Sequence, residues 1–469
     1  MMNTMLEGDK RLSKSILWQI QRHFFMQKGV AAWQEEIVPH YISNNPFMAR
    51  AYSQIVLGYL RDIITELDTS QPVYIIELGT GSGRLAYHFL HQFYAQFEQS
   101  TLAEIPIKFV MTDFVPATLE FWQQHERLKP WVNAGLLDFA LFDAQSPQPL
   151  ELVHARQTLT PDKLQNPFSL IANYFFDSIP QDSFALEDGQ LCENLLTVYS
   201  TQPEPDFTDP TIWDRLTLAY EAIPLQQPYY DDDDFNQILA LYEEFFPDTK
   251  LLFPNGGLDC LKFWQGFGNG RFLLLTSDRG HSLAESLLEQ DDPLPNLHGS
   301  FSLMVNYHAI NQFVALQNGL VLQPEHYQNN LQVAAYLLGQ TAQNGTETRL
   351  AFQNAILNGG PDDFFALKTA VENNYHSLTL PQILSFLRFS IWDADIFLDC
   401  FPALQAQIRQ ASDVWYEDVY QALTHIWNHY LPLGSDNKIA HAIQTLLDDM
   451  GYDINEIIAK ECEENTLQK

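Results

Sequence analysis

A glycine-rich segment after a short apolar run is the first part of the sequence that could do chemistry. Residues 77–83 read Glu-Leu-Gly-Thr-Gly-Ser-Gly, between the apolar run 73–76 and a helical pattern that begins at Arg84. A strand, a glycine turn and a helix N-terminus together point backbone N–H groups at a ligand, and a side chain in the turn would collide with that ligand. This segment therefore predicts a small-molecule site.

The residue types around the glycines narrow the choice of ligand. Glu77 precedes the turn and could bind the ammonium group of a methionine moiety, which a dinucleotide lacks. The spacing is G-x-G-x-G, whereas dinucleotide sites use G-x-G-x-x-G and phosphate loops add Lys-Ser/Thr. We therefore expect S-adenosylmethionine, with no metal, and the alternative is an ordinary glycine turn. The predicted contacts come from Glu77, Gly79, Thr80, Gly81 and Gly83.

Two acids stand where the next predicted strands end. Asp113, followed by Phe114, ends the run 107–111, and an acid at that place can accept two hydrogen bonds from ribose hydroxyls. Asp143, followed by Ala144, ends the run 137–142 and would bind the adenine amino group. The alternatives are a helix N-cap at Asp113 and the nearby Asp138 as the adenine partner.

A polar segment after the fourth predicted strand, 168–172, would face the reacting methyl group. It contains Asn173 and Asp177, which we expect to orient the methyl acceptor as the catalytic residues. Turn and cap chemistry is the alternative role for both side chains.

The elements that would position these residues alternate between strands and helices, which predicts an α/β fold with a doubly wound Rossmann-like sheet. Apolar residues at helical spacing predict an N-terminal helical segment over residues 1–70. The catalytic domain would span residues 71–340. A separate all-helical region, possibly of paired helices like tetratricopeptide repeats, would span residues 341–469 after a polar linker at 340–348.

The charge balance limits the partners. The 469 residues include 25 Lys and Arg against 59 Asp and Glu, a net charge of −34. Such a field repels phosphate chains and anionic membranes, so we expect no nucleic-acid or membrane partner and favour a basic protein, docked through the C-terminal helices. The four scattered cysteines, Cys192, Cys260, Cys400 and Cys462, fit a reducing, cytoplasmic setting.

Several segments together resemble the MidA-like methyltransferases, a family that includes the mitochondrial complex I assembly factor. Its E-x-G-x-G-x-G-x-L loop is matched by residues 77–85, and its A-N-E-x-x-D-A-L-P motif is similar to residues 172–180. Looser matches at 116–128, 277–280, 298–300 and 305–307 extend the resemblance over about residues 42–320. The resemblance implies a class I methyltransferase fold and S-adenosylmethionine-dependent methyl transfer.

One departure from the family pattern bears on the acceptor. Tyr174 stands where the family has a glutamate, and a guanidinium acceptor favours a carboxylate, so arginine specificity is not implied here. The prediction is methyl transfer to a protein side chain. The alternatives are a small-molecule acceptor, or a cofactor-binding pseudo-enzyme that acts as an assembly or scaffold protein.

Overall fold

The computed structural model describes most of the chain. The described residues are 4–35, 37–38, 41–204, 206–209, 211–225, 228–326, 331–339, 345–434 and 438–452. Two sequence predictions involve other residues. Cys462 lies outside this set, and so do residues 340–344 of the predicted linker.

The described helices alternate with strands over the first three quarters of the chain and then continue alone. The strands are β1 (Thr4–Lys10), β2 (Val73–Glu77), β3 (Ile107–Asp113), β4 (Leu137–Leu141), β5 (Leu150–Leu152), β6 (Gln157–Leu159), β7 (Phe168–Asn173), β8 (Asp182–Glu187), β9 (Gln190–Ser200), β10 (Leu216–Pro224), β11 (Thr249–Phe253), β12 (Phe272–Asp278), β13 (Gly280–His281), β14 (Asn296–Leu297), β15 (Phe301–Ser302), β16 (Val305–Asn306), β17 (Leu320–Leu322) and β18 (Gln332–Leu338). The helices are α1 (Ile16–Lys28), α2 (Ala31–Gln34), α3 (Tyr41–Asn44), α4 (Pro46–Ile63), α5 (Arg84–Phe97), α6 (Pro116–Gln124), α7 (Lys129–Asn133), α8 (Asp233–Phe245), α9 (Asn255–Gln265), α10 (Tyr307–Leu316), α11 (Thr346–Phe352), α12 (Pro361–Glu372), α13 (Leu380–Phe389), α14 (Ala394–Ile408), α15 (Tyr416–His429) and α16 (Lys438–Met450).

A seven-stranded sheet forms the centre of the fold, in the order β17-β18-β12-β7-β2-β3-β4. Neighbours from β12 to β4 are parallel, whereas β18 runs antiparallel to both β12 and β17. Because the five parallel strands share one direction, their carboxyl ends lie at one edge, where ligands of doubly wound sheets bind. The chain passes from β2 to β3 and β4 on one side of the sheet and then to β7 and β12 on the other, so the strand order reverses beside β2. The residues that follow β2 lie at this edge, beside the point of reversal.

Helices cover both faces of this sheet. Ile75 belongs to an apolar core with α4, α5, α6 and α7, while Ile76 belongs to a second core with α8, α9 and α10. Alternate residues of a strand point to opposite faces, so residues 73–76 of β2 are all apolar because both faces are covered. The predicted α/β, Rossmann-like methyltransferase fold is confirmed.

A second sheet was not expected from the sequence. It has the order β1-β9-β8-β11, with β10 paired to β9, and it is antiparallel throughout. The runs at residues 195–199 and 216–223 predict strands in the positions of β9 and β10. The N-terminal segment is therefore not helical throughout, because Thr4–Lys10 pairs with β9, and the polar composition of that strand gave no apolar alternation to reveal it.

The C-terminal region is helical, as predicted, but its helices form one cluster. Helix α14 packs against α13, α15 and α16, and their apolar side chains share a core. Stacked helix pairs also make contacts between helices that are one and two apart in the chain, so the tetratricopeptide-like pairing stays a prediction.

The C-terminal helices also share a core with the sheet domain. Phe352, Ile356 and Leu431 belong to the same apolar cluster as α4 and α5. The backbone N–H groups of Glu347 and Thr348, at the start of α11, donate to the carboxylate of Asp62 on α4, at 3.0 and 2.8 Å. The boundary at residue 341 stays a prediction, but side chains on its two sides pack as one unit.

Among the described residues, no helix has the length and apolar character that crossing a bilayer requires.

Candidate cofactor and acceptor site

The glycine turn after β2 adopts a backbone that few other residues could adopt. Gly79, Gly81 and Gly83 have φ angles of +63°, +58° and +83°. The turn is held by neighbouring elements, because the Thr80 N–H donates to the Thr112 carbonyl at 2.8 Å and the Trp122 indole N–H donates to the Gly81 carbonyl at 3.1 Å. Helix α5 begins directly after Gly83, so its N-terminal N–H groups face the same edge of the sheet.

Glu77 ends β2 as a buried acid with unused hydrogen-bonding capacity. Its side chain is 3% exposed, and its Oε2 has no hydrogen-bond partner in the described structure. Burial raises the pKa of this carboxyl to about 8, although the Thr80 hydroxyl opposes the shift and Asp113 adds to it. A buried, unsatisfied carboxyl costs free energy unless a ligand supplies a donor. The methionine ammonium of S-adenosylmethionine is such a donor, so the residues present fit the predicted cofactor.

Asp113 lies at the end of β3, beside the glycine turn. Its Oδ2 accepts a hydrogen bond from the Gly81 N–H at 3.1 Å, and its Oδ1 accepts one from the Val115 N–H at 3.0 Å. Burial raises its pKa to about 6, and these N–H groups limit the shift. Asp113 is not the N-cap of α6, because Val115 occupies that position. Its predicted contact with the ribose stays a prediction.

Asp143 is paired with a residue from the N-terminal helix. Arg22 of α1 donates two hydrogen bonds to its carboxylate, at 3.1 and 2.8 Å, and the guanidinium lies 4.7 Å from the centre of the Phe114 ring. The competing acid, Asp138, is fully buried and accepts hydrogen bonds from the N–H groups of His154 and Ala155. Asp138 therefore fixes the turn between β5 and β6 and does not line the cavity described below.

The two predicted catalytic residues differ in the hydrogen bonds that their side chains make. The Asn173 amide accepts from the Tyr52 hydroxyl at 2.7 Å and donates to the Ser43 carbonyl at 3.0 Å, so it ties β7 to the N-terminal helices. Asp177 accepts a hydrogen bond from the Ser178 hydroxyl at 2.7 Å, and burial raises its pKa to about 6. Asp278, at the end of the adjacent β12, is also fully buried, which raises its pKa as well.

One cavity of about 1030 Å³ connects these residues. It is lined by both predicted catalytic residues and by every predicted cofactor residue except Gly83, namely Glu77, Gly79, Thr80, Gly81, Asp113, Phe114, Asp143, Ala144, Asn173 and Asp177. Gly83 faces inward, where an added Cβ would lie 3.0 Å from the Met111 side chain. Its contribution is therefore to the turn and not to the cavity wall.

Much of the cavity wall comes from residues that the sequence analysis missed. The N-terminal helices contribute Arg22, Phe25, Trp33 and Tyr41, and Arg279 follows β12. The C-terminal helices contribute Phe365, Lys368, Asp395, Leu398, Asp399, Lys438 and Ile439. No local motif marks these residues, because each reaches the cavity through the packing of its helix. The pattern 277–280, which includes Arg279, was the one available signal.

The C-terminal helices are held against the catalytic domain beside the glycine turn. Arg84, the first residue of α5, lies 3.5 Å from the Asp395 carboxylate on α14. The Tyr87 hydroxyl donates to the Asn428 carbonyl at 2.8 Å. Helix α5, which begins at the glycine turn, therefore contacts α14 and α15.

Comparison with known proteins gives one match by sequence and several distant ones by structure. Residues 58–258 match the model of a family described as "Putative S-adenosyl-L-methionine-dependent methyltransferase". No curated protein matches the chain.

The solved structures that resemble the chain are distant. One Burkholderia thailandensis protein, solved with S-adenosyl-homocysteine bound, is 11% identical, with 74% of this chain and 90% of that chain covered and a TM-score of 0.46. An uncharacterised protein from the same organism is 12% identical, with 73% and 90% covered and a TM-score of 0.44. The magnesium protoporphyrin IX methyltransferase of Synechocystis is 9% identical, with 69% and 97% covered and a TM-score of 0.30. Likenesses this distant do not bear on the acceptor of this chain.

The sequence match covers the glycine turn, Asp113, Asp143 and the segment from Asn173 to Asp177. The match confirms that the cofactor is S-adenosylmethionine. It also confirms the resemblance to the MidA-like methyltransferases, which was based on these residues. Residues 58–258 match this family, and the chain is an S-adenosylmethionine-dependent methyltransferase.

Proposed function

We propose that this methyltransferase transfers its methyl group to a side chain of a protein. The observation that carries the proposal is the extent of the cavity, which continues from the glycine turn past Asn173 and Asp177 to Arg279 and the C-terminal helices. Its volume of about 1030 Å³ is at the upper end of the range for sites that hold one small ligand, about 300–1,000 Å³. Space therefore remains for a second reactant beside the cofactor.

The acceptor end offers one carboxyl group suited to a methyl acceptor. S-adenosylmethionine supplies an activated methyl group on a sulfonium, so most of the acceleration must come from positioning. A nitrogen acceptor loses a proton as its new bond to carbon forms, and the Asp177 carboxylate lines the cavity where it could orient that N–H group and accept the proton. Burial raises the pKa of Asp177 above its ordinary value, so its carboxylate is a stronger proton acceptor than an exposed one.

Tyr174 does not provide such a group. It has a φ of +47°, and its N–H donates to the Ser277 carbonyl at 2.9 Å, so it forms the bend between β7 and Asp177. Asp177, three residues later, is a carboxylate that lines the cavity beside this bend. A cationic or polar nitrogen acceptor is thus compatible with the site despite the missing glutamate.

Charge favours a basic protein over a nucleic acid as the acceptor. The net charge of −34 repels phosphate chains and attracts a cationic partner. Asp395 and Asp399, one helical turn apart on α14, add acids to the cavity wall on the side of the C-terminal helices. We infer that these helices take part in docking the partner.

The test is a labelling experiment with the full chain. The protein is incubated with methyl-labelled S-adenosylmethionine and with cellular protein, RNA and metabolites that have been fractionated separately. We expect label in the protein fraction. Label in RNA alone would refute the argument from charge. Label in metabolites alone would establish a small-molecule acceptor, and the absence of label in every fraction would favour the pseudo-enzyme.

A pair of variants separates the two ends of the cavity. Asp177→Asn should reduce labelling at least about a hundredfold, the lower end of the range for a lost proton-transfer group, with unchanged affinity for S-adenosylhomocysteine. The matched variant Asp143→Asn keeps Asp177 and should weaken that affinity instead. Equal effects of both variants on affinity would remove Asp177 from the acceptor site.

A further inference from the structure

Two buried carboxyl groups lie beside each other at the acceptor end of the cavity. Asp177 follows β7 and Asp278 ends β12, and these two strands are parallel neighbours. The Asp278 side chain lies within hydrogen-bonding reach of the Asp177 carboxyl. Asp177 is 5% exposed and lines the cavity, whereas Asp278 is fully buried and does not line it. Asp278 can therefore act on an acceptor only through Asp177.

The polar groups around Asp278 leave one of its oxygens unsatisfied. Its Oδ2 accepts a hydrogen bond from the Tyr307 hydroxyl at 3.1 Å. Its Oδ1 is buried and has no hydrogen-bond partner in the described structure, although the N–H groups of Phe176 and Asp177 are near enough to lower the pKa of the carboxyl. A buried oxygen without a donor costs free energy. One proton between the two carboxyl groups would supply a donor and remove one of two like charges.

The charges around the two acids favour a single negative charge on the pair. Burial raises the pKa of both carboxyl groups, and repulsion from Asp177 adds to the shift at Asp278. Arg279 faces Asp177 and favours its ionised form. The other titratable groups that face the pair are hydroxyls whose pKa values burial raises, so they stay neutral, namely Tyr52, Tyr174 and Tyr307. Arg279 thus balances one carboxylate, and a second would meet repulsion.

We propose that Asp177 and Asp278 share one proton, and that Asp278 is a positioning residue that holds Asp177 ready to accept a proton from the methyl acceptor. The role of Asp278 rests on the proposed function, because Asp177 acts there on a nitrogen acceptor. Within the pair, Asp278 donates the shared proton to the Asp177 carboxylate. The Tyr307 hydroxyl holds Asp278 from the other side, and it lies 2.9 Å from the Thr276 hydroxyl.

The pair gives the proton of the acceptor a defined place to go. As the new nitrogen–carbon bond forms, the carbon–sulfur bond breaks with its electron pair left on sulfur, and the nitrogen gives up one proton. Asp177 accepts that proton, so the pair then holds two protons and no negative charge. Because Asp278 does not line the cavity, the extra proton leaves through Asp177 once the methylated product has gone.

The first test measures unfolding of the full chain by urea between pH 6 and 9 and needs no acceptor. A raised pKa contributes stability that is lost as pH rises through it. The pKa of Asp177 is raised to about 6, so above that pH the loss from the pair belongs to the shared proton. Asp278→Asn keeps an N–H donor but has no proton to lose. The unfolding equilibrium constant of the wild type should therefore rise more steeply than that of Asp278→Asn, by up to about tenfold per pH unit.

Two further variants sharpen this comparison. Asp177→Asn removes the like charge beside Asp278, so the pKa of Asp278 should fall and the dependence on pH above 6 should flatten as well. Asp138→Asn is the matched control, because Asp138 is a fully buried acid on β4 that does not line the cavity. It should keep the wild-type dependence on pH. The other buried acids contribute to every variant alike, so the differences isolate the pair.

The second test follows the labelling rate of the cellular protein fraction against pH. Asp278→Ala removes the donor beside Asp177, so the pKa of Asp177 should rise. The rising limb of the profile should then move to higher pH by about one to two units, the effect of one hydrogen bond to a charged group. Asp278→Asn restores a donor and should return the limb toward its wild-type position. A purely structural role would lower the rate without moving the limb.

Three results would overturn the proposal. They are an equal pH dependence of unfolding in the wild type and Asp278→Asn, a wild-type dependence retained in Asp177→Asn, and a rising limb that Asp278→Ala does not move. If no fraction is labelled, the proposed function fails and the positioning role of Asp278 fails with it. The unfolding measurements still decide whether the two acids share a proton, so the two failures are distinguishable.

Discussion

The two ends of the cavity are built in different ways. The cofactor end comes from residues 77–113. Glu77 ends β2, the glycine turn follows it, and Asp113 ends β3. The acceptor end combines side chains from the N-terminal helices, from the ends of β7 and β12, and from α12 and α14. A local motif therefore specifies the first end, whereas helix packing specifies the second.

The two ends also differ in whether their buried polar atoms have hydrogen-bond partners. At the cofactor end, Glu77 is buried with an unsatisfied oxygen, which a ligand can complete. At the acceptor end, Asn173 is satisfied on both sides of its amide by Tyr52 and Ser43. At the cofactor end, a bound ligand could therefore supply the missing hydrogen bond of Glu77. At the acceptor end, Asn173 already uses its hydrogen bonds to hold the N-terminal helices against β7. Three variants test this comparison.

The largest effect should come from the glycine turn. Gly81→Arg should abolish binding of S-adenosylhomocysteine, because a side chain there is strained at φ +58° and collides with Trp33. Isothermal titration measures the loss, and thermal unfolding checks that the fold survives. Gly135→Arg is the control, since Gly135 has φ +76° but open space around its Cβ, and it should bind normally. Normal binding by Gly81→Arg would place the cofactor elsewhere.

A smaller loss should follow from removing the acid at the end of β3. Asp113→Ala should weaken binding by about 1.5–3 kcal/mol, the scale of hydrogen bonds to a charged group. Asp138→Ala removes a buried acid from the adjacent strand that does not line the cavity, so it should lower the melting temperature and leave the affinity unchanged. A loss below about 0.5 kcal/mol in Asp113→Ala would limit Asp113 to organising the turn.

The smallest effect concerns pH and Glu77. In the free protein its pKa is raised to about 8, so the carboxyl is mostly protonated at pH 7 and must lose its proton to bind an ammonium group. Affinity should therefore rise with pH toward 8, by up to about 1.4 kcal/mol or tenfold per pH unit, and level off above it. Titrations in buffers of different ionisation enthalpy should detect the released proton.

The same carboxyl links pH to the stability of the free protein. Because burial raises the pKa of Glu77 above its ordinary value of 4.5, its contribution to stability is full below that value and declines as pH rises through about 8. Glu77→Gln should abolish the proton release and flatten the pH dependence of binding. A wild-type affinity that does not change between pH 6 and 8 would contradict the assignment of Glu77 to the ammonium.

The strands of the two sheets differ in how well they could be recognised from the sequence. Residues 73–76, 107–111 and 168–172 are runs of apolar residues interrupted only by Lys108 and Ser169, because a strand covered on both faces needs mostly apolar side chains. Strand β1 has the sequence Thr-Met-Leu-Glu-Gly-Asp-Lys, and it is a strand only because β9 offers an edge to pair with. Its local sequence favours no single structure.

The sequence by itself determined the cofactor and predicted the edge of the sheet where it would bind. A glycine turn, a preceding acid and the acids that end the next two strands are local features, and their chemistry does not depend on distant contacts. Only the tertiary structure decided what surrounds them. Arg22 reaches Asp143 across 121 positions of the chain, and Asp395 reaches Arg84 from the C-terminal helices. Such contacts depend on how whole helices pack, which is set by their buried apolar faces, so the residues that make them carry no signal of their own.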